Sequence, residues 1–189
     1  MNIQDDRAKL LGEEDIGKLL LKFSVPAIVG MLVNALYNIV DRIFIGQSVG
    51  SIGIGAIFVG SPVSLILMAF SMLVGIGGNS LSSIRLGQGK KEDAELILGN
   101  AFVLLLAISL SLSILGLIFI EPMLKLFGAS DNILPYSIAY MTIILIGAPF
   151  QAVGFGLNSF IRGEGNPTVA MGTMLIGALL NIILDYVFI

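Results

Sequence analysis

Five uncharged runs, each at least eighteen residues long, restrict the folds that this sequence can adopt. They occupy residues 23–40, 43–84, 96–120, 132–161 and 165–184. About 20 apolar residues in a helix span a bilayer, whereas buried helices of soluble proteins seldom carry apolar runs beyond about 14 residues. Hydrophobic residues make up 56% of the chain and charged ones only 12%, outside the usual range of soluble domains. The sequence therefore predicts an all-α, polytopic membrane helix bundle.

Turn-forming residues divide this bundle into helices. Glycine and serine cluster in GQSVGSIGIG within the longest run, and RGEGNP separates the last two runs; both compositions favour turns. We predict a cytoplasmic, amphipathic N-terminal segment at 1–22 and a transmembrane bundle at 23–189. Its five helices are predicted at about 23–45, 56–84, 94–120, 133–161 and 167–189. The last helix runs to the final residue without a polar tail, so we expect a protein truncated before further helices.

Basic residues predict the orientation of these helices, because they concentrate in cytoplasmic loops. Only Arg42 and Lys125 fall on one side of the predicted bundle. The other side holds Arg7, Lys9, Lys18, Lys22, Arg85, Lys90, Lys91 and Arg162. The N-terminus is therefore predicted to be cytoplasmic.

Several classes of function are disfavoured by composition. The chain has no Cys and no His, so thiolate or imidazole metal sites and imidazole proton relays are excluded. No basic tract suggests binding to nucleic acid, and the intramembrane acids lack a partner arrangement for hydrolysis. We expect no enzymatic activity and no cofactor, and any proton handling falls to carboxylates.

Polar residues form a stripe along the first predicted helix. Asn34, Tyr37, Asn38 and Asp41 fall within about 100° of arc at 100° per residue. Asp41 follows eighteen uncharged residues, and an acid within a membrane helix usually faces a protein interior or a water-filled cavity. An alternative is that Asp41 sits at the outer interface, where Arg42 reaches water and an acid costs little.

The fifth predicted helix also carries an amide and an acid on one face. Asn181 and Asp185 are one turn apart and share a face. Asp41 and Asp185 each lie about 27 Å from the inner end of their helix, at 1.5 Å per residue, so they are predicted at one height. Two facing carboxylates in a low-dielectric site are expected either to hold a proton or to bind a cation. Gln151 either lines the same cavity or hydrogen-bonds a neighbouring helix.

Four segments in order resemble the multidrug and toxic compound extrusion (MATE) family. They are NIVDRIFIG, with D-x-x-x-x-G from Asp41 to Gly46, then IRLGQGKKEDAE, QAVGFGLNSFIRGEGNP and GALLNIILDYVFI. The resemblance extends over the whole chain. It implies a cation-coupled antiporter of twelve helices in two six-helix lobes, embedded as a multi-pass protein in the bacterial or archaeal inner membrane. This chain would be the amino-terminal lobe without its sixth helix.

The resemblance also implies roles for particular residues. Asp41, Asn181 and Asp185 would form the cation site, which would take H+ or Na+, and Tyr37 matches a neighbouring position. Pro26 would be a conformational hinge, although as a residue pattern it equally suits the first turn of a helix. The missing carboxy-terminal lobe is expected in the complete protein.

Three functions follow as hypotheses. The first is export of lipophilic, often cationic, drugs in exchange for H+ or Na+ by alternating access. The second is a lipid-linked saccharide flippase of the wider superfamily, for which a basic cavity would be expected. The third is a non-transporting membrane scaffold. The expected partners are membrane lipid and a small drug or organic cation.

Overall fold

Six helices form the fold in the computed structural model, which describes residues 15–188 apart from the side chains at 185, 187 and 188. They are α1 (Ile16–Ser48), α2 (Ser51–Gly87), α3 (Lys91–Ile118), α4 (Ile120–Leu126), α5 (Leu134–Gly163) and α6 (Pro167–Phe188). Among the described residues, all but the short α4 are long and apolar enough to cross a membrane. Large apolar side chains such as Leu73 and Ile143 cover the outer surface. The predicted all-α membrane bundle with five spans is confirmed.

Helix α1 begins earlier than predicted, and this changes the role of its proline. The Asp15 carboxylate caps the helix by accepting hydrogen bonds from the backbone N–H groups of Gly17 (2.9 Å) and Lys18 (3.3 Å). Such a cap satisfies N–H groups that have no partner within the helix, so the helix extends to Ile16 instead of starting at 23. Pro26 consequently lies inside α1, and its interpretation as a first-turn proline is wrong.

Two predicted loops are shorter than expected. The break between the first two helices is limited to a tight turn, in which Gly50 adopts φ 76°, a conformation that glycine adopts readily. The segment after α3 forms α4, where Lys125 Nζ donates a hydrogen bond of 2.7 Å to Glu121. That hydrogen bond raises the pKa of Lys125. Leu124 of α4 is fully buried, so apolar burial accounts for the helical segment.

The compact part of the bundle consists of α2, α3 and α5. Its apolar core clusters include Leu67, Met141 and Leu145 towards one end and Leu105 and Phe160 towards the other. Backbones meet where α2 crosses α5. A Cβ atom at Gly75 would lie 2.7 Å from the Cα of Gly156, so the absence of both side chains permits the approach.

Helices α1 and α6 pack on each other at the edge of this three-helix core. Gly30 is the one described residue of α1 that is buried. A Cβ atom at Gly30 would lie 2.8 Å from the sulfur of Met174 on α6. Because α1 and α6 pack closely on each other at the edge of the core, a space remains between this pair and α5. The candidate site lies in that space.

Candidate functional site

A cavity of about 370 Å³ opens between α1, α5 and α6. Its walls combine amides and two hydroxyls with apolar groups and small residues. They are Asn34, Tyr37, Gln151, Gly154, Phe155, Asn158, Thr173, Met174, Gly177, Ala178 and Asn181. Small-molecule sites occupy roughly 300–1,000 Å³ and pair apolar walls with a few polar groups. Size and lining both fit a small organic ligand.

The lining positions follow helical spacing. On α5 they lie at 151, 154, 155 and 158, and on α6 at 173, 174, 177, 178 and 181. Spacings of three and four residues place side chains on one face of a helix. Each helix therefore presents one continuous face to the cavity. Among the predicted site residues, the structure brings Asn34, Tyr37, Gln151 and Asn181 together on these walls.

The polar stripe of α1 divides between the cavity and the helix itself. Asn34 Nδ2 donates a 3.4 Å hydrogen bond to the Tyr37 hydroxyl, and both residues line the cavity. Asn38 Nδ2 turns back to donate to the Asn34 backbone carbonyl (2.7 Å) and to Asn34 Oδ1 (3.2 Å). The structure does not bring Asn38 to the cavity wall, because these intrahelical bonds hold its amide.

The predicted cation site is described only in part. Asp41 is half-buried on α1 and is not among the lining residues. Asn181 lines the cavity, and its Oδ1 is buried with no hydrogen-bond partner among the described residues. The side chain of Asp185 lies outside the described part of the structure, so the predicted Asp41–Asp185 pair stays a prediction.

Two further residues of the site, Asn158 and Thr173, were not predicted. Asn158 is only 5% exposed, and its Nδ2 donates 3.0 Å hydrogen bonds to the Ala170 carbonyl and to Thr173 Oγ1 across the α5–α6 interface. Thr173 Oγ1 in turn donates to Ala170 (2.8 Å). Asn158 lies two turns from Gln151 on the same face, and this spacing could have identified it.

Metal-binding clusters of three or more His, Cys, Asp or Glu residues do not occur in the described part of the chain. Carboxylate and amide oxygens are nevertheless ligands that suit hard cations. Asp41 and Asn181 are such groups. Their predicted role in binding a proton or an alkali cation stays a prediction.

Comparison with known proteins identifies the family. The MatE profile matches residues 26–187, which include every residue that lines the cavity. This chain belongs to the MatE family. The resemblance drawn from the four sequence segments is confirmed. Members of this family are transporters and not enzymes, and the chain is a multi-pass membrane protein.

Curated relatives are similar in sequence to this chain over nearly its whole length. The FAD transporter of Shewanella oneidensis is 33% identical over 180 residues, covering 95% of this chain and 39% of that protein. The multidrug export protein MepA of Staphylococcus haemolyticus is 30% identical over 187 residues, covering 99% of this chain and 41% of that protein. The chain thus spans about two fifths of the length of these relatives.

Solved structures of MatE transporters superpose closely on the chain. The multidrug transporter DinF-BH, solved in complex with a ligand, is 41% identical with a TM-score of 0.87. An outward-facing multidrug resistance transporter of the family is 28% identical with a TM-score of 0.88. This chain covers 40% of the first structure and 41% of the second.

Loss of the Asn158 amide is expected to loosen the α5–α6 interface. The Asn158→Leu substitution removes the two hydrogen bonds to Ala170 and Thr173, and hydrogen bonds between membrane helices contribute about 1 kcal/mol. We expect a lower unfolding midpoint of the purified protein in detergent. Asn38→Leu is the matched control, since the bonds of the Asn38 amide to described residues all lie within its own helix. Equal shifts for both variants would contradict the interfacial role of Asn158.

Proposed function

We propose that this chain is the amino-terminal part of a cation-coupled antiporter that exports lipophilic, often cationic, drugs by alternating access. H+ or Na+ is the coupling ion, and Asp41, Asn181 and Asp185 bind it. The N-terminus lies in the cytoplasm. A carboxy-terminal lobe completes the transport pathway.

The observation that carries this proposal is the cavity between α1, α5 and α6. Its walls hold neutral amides at Asn34, Gln151 and Asn181 beside the apolar side chains of Phe155 and Met174. Amides with an apolar surround suit a lipophilic compound that carries a few polar or charged groups. Asp41 lies one turn beyond Tyr37 on the stripe that reaches this cavity, so cargo and coupling ion have neighbouring sites.

The packing of α1 on α6 supports a shared height for the two acids. Gly30 and Met174 are in contact, and both helices run in one direction if successive spans alternate across the membrane. Positions 41 and 185 each follow that contact by eleven residues, about 16 Å at 1.5 Å per residue. The two positions therefore come level on neighbouring helices, which supports a common cation site.

Two carboxylates at one level give the physical basis for coupling. Inside a membrane protein, like charges in a low-dielectric site favour uptake of a proton or a cation. An ion that binds one conformation better than another shifts the equilibrium toward it by that difference in affinity. Ion binding at this pair would thereby change which side of the membrane the cavity faces.

Pro26 supports a hinge in α1. Proline removes one hydrogen bond from a helix interior and favours a kink there. Pro26 lies one turn before Gly30, where α1 contacts Met174. Bending at this position would move the cytoplasmic end of α1 while the contact with α6 stays in place.

Exchange in vesicles tests the proposal. The full-length protein that carries this chain is purified and reconstituted, and the vesicles are loaded either with Na+ or with acid before dilution into medium containing ethidium, a lipophilic cationic dye. We expect one of the two gradients to drive dye uptake, and an ionophore that collapses that gradient to abolish it. Uptake that is indifferent to both gradients would contradict cation-coupled antiport.

A second candidate cargo is a flavin dinucleotide. The relative from Shewanella oneidensis, 33% identical to this chain, is an FAD transporter. Adenine and isoalloxazine rings are planar and carry amide-like edges, which the amides of the described cavity walls suit. The anionic pyrophosphate that links the two rings would need partners outside these neutral walls. Replacing ethidium by FAD in the same vesicles decides between the two, since gradient-driven uptake of FAD alone would favour the flavin as cargo.

A further inference from the structure

Two glycines on opposite walls of the cavity leave space that no described residue fills. Gly154 of α5 and Gly177 of α6 both line the cavity. A Cβ atom added to either would meet no heavy atom within 4 Å beyond its own helix and chain neighbours. Side chains at these positions would therefore point into open space.

Packing does not explain these two glycines within the described structure. Gly75 and Gly156 permit the close crossing of α2 and α5, and Gly30 admits the sulfur of Met174. Gly154 and Gly177 make no such approach. Glycine is nevertheless among the least favourable residues in a helix interior. In the described structure, the absence of side chains at Gly154 and Gly177 leaves the volume between them open.

Hydrogen bonds between α5 and α6 place the two glycines at one level. Asn158 bonds to Thr173 across the interface, and the two helices are antiparallel because a short turn joins them. Gly154 lies four residues before Asn158, and Gly177 lies four residues after Thr173. Four residues are about one helical turn, so both glycines lie one turn above the Asn158–Thr173 bond.

A buried amide oxygen without a hydrogen-bond partner among the described residues borders this level. Asn158 is 5% exposed, and its Oδ1 has no hydrogen-bond partner among the described residues. The oxygen of Asn181, about one turn beyond Gly177, is likewise buried and unpartnered within the described structure. Buried acceptors without partners are rare, and a water, an ion or a polar group of a ligand would satisfy them. Gly154 and Gly177 thus lie between two buried acceptors, the side-chain oxygens of Asn158 and Asn181.

We propose that Gly154 and Gly177 set the size limit of the cargo, by keeping open the level at which its bulky apolar part lies against Phe155 and Met174. The inference rests on the proposed function, since it concerns the cargo of that same cavity. At about 370 Å³, the cavity is near the small end of ligand sites. One added side chain therefore removes a substantial part of the space.

A graded series of cations tests this limit in the same reconstituted vesicles. Tetraethylammonium, tetrapropylammonium, tetrabutylammonium and tetraphenylphosphonium carry one charge each and differ in bulk. For Gly154→Leu and Gly177→Leu we expect exchange of tetraphenylphosphonium to fall about ten-fold or more, while tetraethylammonium changes less than about two-fold. Gly154→Ala and Gly177→Ala should also lower the size of the largest cation that is exchanged, but by less than the leucine variants do.

Matched controls separate cavity volume from folding. Gly147 of α5 and Gly172 of α6 also have open space at their Cβ positions but do not line the cavity. Gly147→Leu and Gly172→Leu should leave the size of the largest exchanged cation unchanged. If the cavity variants lose exchange of all four cations to the same extent, or exchange them as the wild type does, the size-limit inference is overturned. The proposed drug export is unaffected by either result. A wild-type protein that exchanges none of the four cations or ethidium would contradict the proposed drug export together with the inference.

Discussion

The Asp41→Asn variant of the full-length protein is expected to lose all gradient-driven drug exchange. Asparagine has nearly the same size and shape as aspartate and retains a hydrogen-bonding side chain, but it cannot take up a proton or supply a negative charge. A half-buried acid within an apolar helix is costly to retain, and such residues usually mark ion or proton pathways. Loss of the coupling group should therefore remove the response to the gradient without unfolding the helix.

Ethidium uptake measured under both an imposed Na+ gradient and an imposed pH gradient checks this result. Equilibrium binding of ethidium to the purified variant separates coupling from cargo recognition, because the cavity walls are unchanged and binding should persist. Asp131→Asn is the control, since Asp131 is an exposed acid in the segment between α4 and α5. Undiminished gradient-driven uptake by Asp41→Asn would remove Asp41 from the mechanism.

Substitution of Gly75 by valine is expected to disrupt the packing of α2 on α5. A Cβ atom at Gly75 would lie 2.7 Å from the Cα of Gly156 and 3.0 Å from its carbonyl oxygen. Backbone atoms cannot move aside as a flexible side chain can, so the helices must separate. Overpacking of this kind costs about 1–3 kcal/mol, and more where relaxation is blocked. A large drop in the unfolding midpoint and in the yield of monodisperse protein should follow.

Gly77→Val is the matched control for this variant. Gly77 lies two residues along the same helix, and a Cβ atom there meets nothing within 4 Å. Both substitutions place the same β-branched residue in α2 and share its helix propensity. Equal stability of the two variants would show that the Gly75–Gly156 crossing does not hold the helices together.

Much of the architecture could be predicted because membrane spans are a local property of the chain. A helix crosses the bilayer when about 20 consecutive residues are apolar, and that condition can be evaluated along the sequence alone. The five long helices α1, α2, α3, α5 and α6 follow from it, whereas the short α4, which carries Glu121 and Lys125, does not. The helix start at Ile16 was missed, because the cap at Asp15 acts in the polar flank that the apolar pattern does not cover.

The site was predictable where one helix carries several polar residues. Asn34 and Tyr37 share a face by spacing alone, and the isolated amides Gln151 and Asn181 stand out in apolar runs. Asn38 has the same spacing as its neighbours, yet it bonds back to Asn34. Sequence spacing gives the direction of a side chain around its helix, but it does not give the hydrogen bonds that compete for it.

The sequence by itself determined that the chain lies in a membrane, how many spans it has and which helix faces are polar. Only the tertiary structure decided that α1, α5 and α6 enclose a common cavity, that Asn158 and Thr173 join two of its walls and that Gly154 and Gly177 face its open space. The physical reason is that contacts between helices depend on their rotation and separation. Small-residue contacts such as Gly30 against Met174 and Gly75 against Gly156 set that geometry, and they lie far apart in the sequence.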